Sequence, residues 1–245
     1  MTELDPTTMR VFPEPSQDTL IAFIYHTNRI ERIPMNKRDI EDAIAQREPN
    51  PYVEGHLRAI TLVQQLAPDP KLLPERVNTI FEFDEKFPWL KRLHRNLMRP
   101  VAEFGVMTLD PSIIHPTDVG SYRQTAKSIR TERDNMIIDV EMPGPLTIRE
   151  HLRDWANDLC SFHNDMRRTI EYGRYSDSDT EALVDKAYEA NLKLSCIKPF
   201  TDGSNRTGRL VENLLRLNWG LPWKIISLDD KDQLLDDLRN MQSRF

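Results

Sequence analysis

The chain has 245 residues, 33 Lys plus Arg against 39 Asp plus Glu for a formal net charge of −6, and 39% hydrophobic residues. That length buries a substantial core, 8 glycines are too few for a sandwich or barrel built on glycine turns, and the negative sum repels polyanions, so a mainly α fold is expected and nucleic acid is excluded as a partner. No run approaches the roughly 20 consecutive apolar residues of a membrane span, and residues 1–5 lack the basic start and apolar core of a signal peptide, so no membrane partner and a cytoplasmic location are expected.

Residues 1–16 read as an irregular, proline-marked arm and 17–245 as a single domain. Asp18 is placed to cap a first helix through Leu20, Ile21, Phe23, Ile24 and Tyr25, and Asn36 a second carrying Ile40, Ala43 and Ile44. Apolar residues at helical spacing predict helices over 51–66 and 77–98, the latter divided at Pro88. From 104 to 145 the period is lost among Gly105, Pro111, Pro116, Gly120, Pro143 and Gly144. Met136 to Val140 reads as a short strand there, which predicts a small β-hairpin flap within 120–145.

Helical periodicity returns over 147–163, with Ile148, Leu152, Trp155, Ala156 and Leu159 on one face, again over 176–197, and once more after Asn205 until Gly220 and Pro222 stop it. A last helix over 229–241 turns Leu234, Leu235 and Leu238 inward. The densest basic run, Arg123, Lys127, Arg130 and Arg133, is interrupted by Glu132 and Asp134 and reads as a solvated face. Cys160 and Cys196 fall in apolar helical patterns and suit small core residues better than a disulfide or metal site.

Between two of these helices lies Lys198-Pro199-Phe200-Thr201-Asp202-Gly203-Ser204-Asn205-Arg206-Thr207-Gly208-Arg209. Gly203 and Gly208 permit close backbone approach and positive φ, and the following helix aims free N–H groups and its positive dipole end into the same space, a loop shaped for nucleotide phosphates. Arg206 and Arg209 could each fork a phosphate, and Asp202 could hold a hydrated Mg²⁺, a composition that suits a nucleoside triphosphate. Gly203 to Gly208 also has the spacing of a P-loop, but that motif continues with Lys and Ser or Thr after a buried strand; here Arg209-Leu210 follow and a helix precedes. The bland alternative is a glycine turn with Asp202 paired to an arginine.

The segment resembles the signature of the Fic (Fido) family, His-x-Phe-x-(Asp/Glu)-Gly-Asn-Gly-Arg-x-x-Arg, through Pro199, Phe200, Asp202, Gly203, Arg206 and Arg209. Gly120-x-x-Arg123, Leu152-x-x-Trp155-x-Asn157 and Leu93-His94-x-x-Leu97 resemble other parts of that family's pattern, so the likeness spans most of 18–223. It implies a Fic-type helical bundle with a hairpin flap, and transfer of AMP from ATP to a Ser, Thr or Tyr hydroxyl of a target protein. By the same resemblance Asp202 takes the Mg²⁺ role, Gly203, Ser204, Asn205, Arg206, Gly208 and Arg209 surround the nucleotide, and Ile137, Ile138 and Asp139 pair with a target segment as an added strand. Helical surfaces of such proteins can also mediate homodimers.

Two departures bear on chemistry. Lys198 stands where the family has the histidine that takes the proton from the target hydroxyl, and a lysine of ordinary pKa about 10.4 holds its own proton at neutral pH. Ser204-Asn205 stand in place of Asn-Gly. Thr27-Asn28-Arg29-Ile30-Glu31-Arg32 resembles the inhibitory motif (Ser/Thr)-x-x-x-Glu-(Gly/Asn) that some members carry, departing at Arg32, and implies that Glu31 pairs with Arg209 against the ATP γ-phosphate. A surface Glu31 paired with Arg29 or Arg32 is the plain alternative. The expected functions are an autoinhibited nucleotide-binding protein with impaired transfer, a transferase with another proton route, a catalytically inactive module capturing a peptide at the flap, and an enzyme that removes AMP.

Overall fold

The elements run α1 (Gln17–Ile30), α2 (Lys37–Ile44), α3 (Pro51–Leu66), α4 (Ile80–Lys86), α5 (Pro88–Glu103), β1 (Ser128–Arg133), β2 (Met136–Glu141), α6 (Ile148–Tyr172), α7 (Asp177–Ile197), α8 (Ser204–Asn218) and α9 (Lys231–Gln242), and side chains cap the starts of α1 to α4 and α7. The computed structural model describes residues 14–105, 114–133, 136–172 and 175–242, with the backbone alone between 129 and 140. Ser16, not Asp18, caps α1: its Oγ accepts from the Thr19 amide at 3.2 Å, and Asp18 falls inside the first turn, where its charge suits the helix dipole. Asn36 caps α2 with Asp39 answering in a reciprocal capping box. Pro88 occupies the first turn of α5, where a missing N–H costs nothing, and so divides α4 from α5.

The core is built around α8, whose Leu210, Val211, Leu214 and Leu215 are fully buried. α7 packs along one side of it and α3 along another. α3 meets α5 very closely at Gly55, where an added Cβ would lie 2.0 Å from the Leu97 carbonyl oxygen, so only glycine admits this crossing. α6 continues past 163 to Tyr172 because Met166 and Ile170 still pack on the core and Arg167 pairs with Glu171 one turn on. A smaller cluster of Ile30, Leu192, Cys196, Ile226, Leu234 and Met241 joins α9 to the ends of α1 and α7. Leu235, expected inward, is 37% exposed, since the helix turns Leu234 and Met241 to the core instead. Both cysteines are free and buried.

β1 and β2 pair antiparallel, with Arg130 opposite Asp139 and Thr131 opposite Ile138. Ile137, Ile138 and Asp139 therefore lie on the β2 backbone, while their side chains lie outside the described residues, as do those of Arg130 and Arg133. Arg123 is not on a solvated face: it is 2% exposed and points inward. Among the described residues no helix is long and apolar enough to cross a membrane.

Candidate functional site

α7 ends at Ile197, and Lys198 reverses the chain in the left-handed region at φ 45°, ψ 63°, its amide donating to the Leu194 carbonyl at 3.0 Å. The chain then runs to Gly203, left-handed at φ 75°, from which α8 starts with no side-chain cap, leaving its first-turn amides open toward the loop. Gly203 has a second requirement besides φ: a Cβ there would lie 2.7 Å from Met98 Sδ.

His94 of α5 supports this loop from below. Its ring stacks on Phe200 at 3.8 Å and 9°, and its Nδ1 accepts from the Gly120 amide at 3.0 Å. That bond fixes the neutral tautomer, so Nε2 carries the proton and donates to the Asp202 carbonyl at 2.9 Å. Burial pushes the His94 pKa down to about 4, against the opposing pull of the Asp202 bond. Ser204 was expected beside the nucleotide, but its hydroxyl turns back, 3.2 Å from both the amide and the carbonyl of Phe200. Gly208 lies inside α8 and not at a positive-φ turn; a Cβ there would meet Asn191 Oδ1 at 2.5 Å, so it serves the α7–α8 crossing.

Arg123 braces the loop from the hairpin side. Its Nε donates to the Lys198 carbonyl and its Nη1 to the Thr125 carbonyl, both at 2.7 Å, its Nη2 donates to the Pro143 carbonyl, and its amide donates to the Pro199 carbonyl at 2.9 Å. Lys127 adds a bond from Nζ to the Thr201 carbonyl at 2.7 Å. Spacing gave no sign of these contacts, because each joins residues more than seventy positions apart except those within 123–143.

The charged groups converge at the start of α8. Arg206 is 3% exposed; its Nη2 pairs with Asp202 Oδ2 at 3.0 Å, and its buried Nη1 has no hydrogen-bond partner among the described residues. Arg209, also buried, places Nη2 2.6 Å from Glu31 Oε1. Asn205 donates from Nδ2 to the other oxygen of Glu31, Oε2, at 3.3 Å. Glu31 thus engages α8, and not Arg29 or Arg32. It is held there by the way α1 ends: the Arg32 amide donates to the Arg29 carbonyl at 3.0 Å and the Ile33 amide to the Asn28 carbonyl at 2.9 Å, with Arg32 left-handed at φ 62°. This is a Schellman ending, and it explains why glycine or asparagine suits the position of Arg32.

Burial by itself would raise the Glu31 carboxyl pKa, but Arg209, with Arg206 and Lys198 behind it, outweighs burial and holds the group below its ordinary value. Lys198 moves down: burial disfavours its charged form and Lys127 adds to that, while Glu31 and Asp202 oppose. Asp202 is the one carboxylate of the loop, and among the described residues no three His, Cys, Asp or Glu groups are placed to hold a metal ion. A single carboxylate does fit Mg²⁺ that arrives with phosphates, because that ion keeps most of its waters and needs few protein ligands. The unpartnered Arg206 Nη1 and the uncapped α8 start likewise fit an anionic ligand.

The family model described as Fic/DOC family matches residues 86–215, more than half of the chain. A protein from Nematostella vectensis described as Protein adenylyltransferase Fic is 23% identical over 209 residues, covering 81% of this chain and 43% of the relative, so the chain spans less than half the length of that protein. A Fic domain containing signaling protein from Bacteroides thetaiotaomicron aligns at TM-score 0.60 and 17% identity over 91% of this chain and 71% of the other. Residues 134–508 of Fic-1 from C. elegans, carrying E274G, align at TM-score 0.59 and 18% identity over 92% of this chain and 56% of the other. The same segment without that substitution aligns at 0.58, with 19% identity over the same shares.

Proposed function

The chain belongs to the Fic/DOC family and is related to protein adenylyltransferases, and we propose that it binds ATP with Mg²⁺ at the start of α8, is held back by Glu31, and transfers AMP poorly because Lys198 stands in place of the base. The observation that carries this reading is the Arg209–Glu31 pair at 2.6 Å, which occupies a buried arginine beside an uncapped helix start. Arg206 and the α8 amides would hold phosphates, and Asp202 would hold Mg²⁺, which supplies charge neutralisation when bound. Arg209 would join them only after Glu31 leaves.

Lys198 decides how far transfer proceeds. Burial pushes its amine toward the neutral form that a base requires, but Glu31 and Asp202 push back, and a bound triphosphate adds negative charge that favours the ammonium further. With nucleotide in place Lys198 keeps its proton and acts as a phosphate contact, so the target hydroxyl lacks a general base, a loss commonly worth about 10²–10⁴-fold. A target segment would add along the hairpin at Ile137, Ile138 and Asp139; a sheet of two strands has outer edges for such pairing. If nucleotide does not bind, the same edge supports the second reading, a peptide-binding module.

Calorimetric titration with ATP and Mg²⁺ tests this. We expect Glu31→Gly to bind about 10-fold more tightly than the parent chain, as for removal of a competing charge-assisted contact of roughly 1.4 kcal/mol. AMP transfer to a hydroxyl is expected to become efficient only when Lys198→His is added. Equal affinity in the parent and Glu31→Gly would rule out the inhibitory role, and transfer by the parent chain as fast as by Lys198→His would rule out the lost base.

A further inference from the structure

The two oxygens of Glu31 are held by two different residues of α8. Arg209 takes Oε1 at 2.6 Å and Asn205 takes Oε2 at 3.3 Å. Asn205 and Arg209 are four apart on one helix, so they share a face, and that face meets the end of α1. The Schellman ending at Asn28–Ile33 fixes the backbone on which Glu31 sits, so the carboxylate reaches α8 from a rigid base. The other end of the Asn205 amide, Oδ1, is buried with no hydrogen-bond partner among the described residues, and the one bond these give the side chain is the one to Glu31. The resemblance puts glycine at this position, and glycine has no donor to offer.

We infer that Asn205 is a second latch on Glu31, which works with Arg209 to keep α1 closed over the phosphate site; this rests on the reading of Glu31 as the inhibitory group. Two consequences separate a latch from a nucleotide contact. A latch acts only while Glu31 is present. It also steadies the end of α1 whether or not nucleotide binds.

The test compares four proteins: the parent chain, Asn205→Ala, Glu31→Gly and the double variant, with Asn205→Ser as a second, smaller change. With ATP and Mg²⁺, Asn205→Ala should tighten binding about 5-fold in the parent background, as for one hydrogen bond of ordinary strength, and should leave the Glu31→Gly protein unchanged. Weakened binding by the same factor in both backgrounds would make Asn205 a direct nucleotide contact and overturn the latch. Hydrogen exchange of the Arg32 and Ile33 amides, which close α1, gives a reading independent of nucleotide. Those amides should exchange faster in Asn205→Ala and no faster when Asn205→Ala is added to Glu31→Gly. Unchanged exchange in Asn205→Ala would defeat the latch. Faster exchange with no ATP binding in any of the four would keep the latch and defeat the nucleotide reading on which its role was built.

Discussion

Two groups of four charges stand on neighbouring parts of this fold, and they behave differently. On the outer faces of α6 and α7, Lys186 and Lys193 each bond Asp158 at 2.7 Å and Glu189 at 2.8 Å, a closed ring in which every charge has two partners of opposite sign. At the start of α8, Asp202 and Glu31 pair with Arg206 and Arg209, but here the arginines are buried, one guanidinium nitrogen has no hydrogen-bond partner among the described residues, and Lys198 adds a further cation. The outer ring is complete in itself. The inner group carries donors beyond its own acceptors in a place where water is largely excluded, which is the condition under which an incoming anion is held most strongly.

Removing one cation from each group tests the contrast most directly. Arg209→Ala should cost about 3 kcal/mol in chemical denaturation, because it strips a partly buried carboxylate of its partner and leaves a gap against Thr27. Lowering the pH should also act on the inner region first. His94 and His56 are neutral in the fold, pushed by burial from 6.5 to about 4 and about 3, the bond to the Tyr52 carbonyl opposing burial at His56. The unfolded chain takes up these protons below about pH 6.5 while the folded chain does not. Stability should therefore fall as pH drops from 6.5 toward 4, by up to about 1.4 kcal/mol per pH unit for each ring. His56→Leu should flatten that slope. Burial would raise the Asp158 and Glu189 carboxyls of the outer ring, but bonds from Lys186 and Lys193 outweigh it and hold both below their ordinary values, so they stay ionised as the histidine window is crossed.

Arg32→Gly should stabilise the chain by about 1 kcal/mol in the same denaturation assay, because it relieves a side chain at φ 62° without removing any bond that closes α1. Lys193→Ala should cost least, less than about 1 kcal/mol, since its ring is partly solvated and Lys186 still bonds both carboxylates. A loss at Lys193 as large as that at Arg209 would erase the distinction between the two groups.

The helices were legible because their caps and apolar spacing are local. Asn36, Pro51, Pro88 and Ser176 mark starts within a residue or so of those found. The apolar stripe of α6 does run on through Phe162, Met166 and Ile170 at four-residue steps, but 164–172 is otherwise polar, and the helical reading stopped short at 163. At the site, Asp202, Arg206 and Arg209 could be picked from spacing and resemblance, and Glu31 from its own motif. Arg123 and Lys127 looked like surface charges because a run of basic residues says nothing of carbonyls far along the chain. Ser204 and Gly208 sit in the right segment, yet their contacts point back to Phe200 and across to α7, directions set by the helix that no linear motif encodes.

Arg123 also has a mechanical meaning. Its guanidinium joins the carbonyl of Pro143, just beyond β2, to the carbonyl of Lys198, with Thr125 between them. The base of the hairpin and the first residue of the loop are in effect riveted to one rigid plate. A load applied along the strand edge would travel through that plate to the lysine backbone, and the hairpin and loop would swing together.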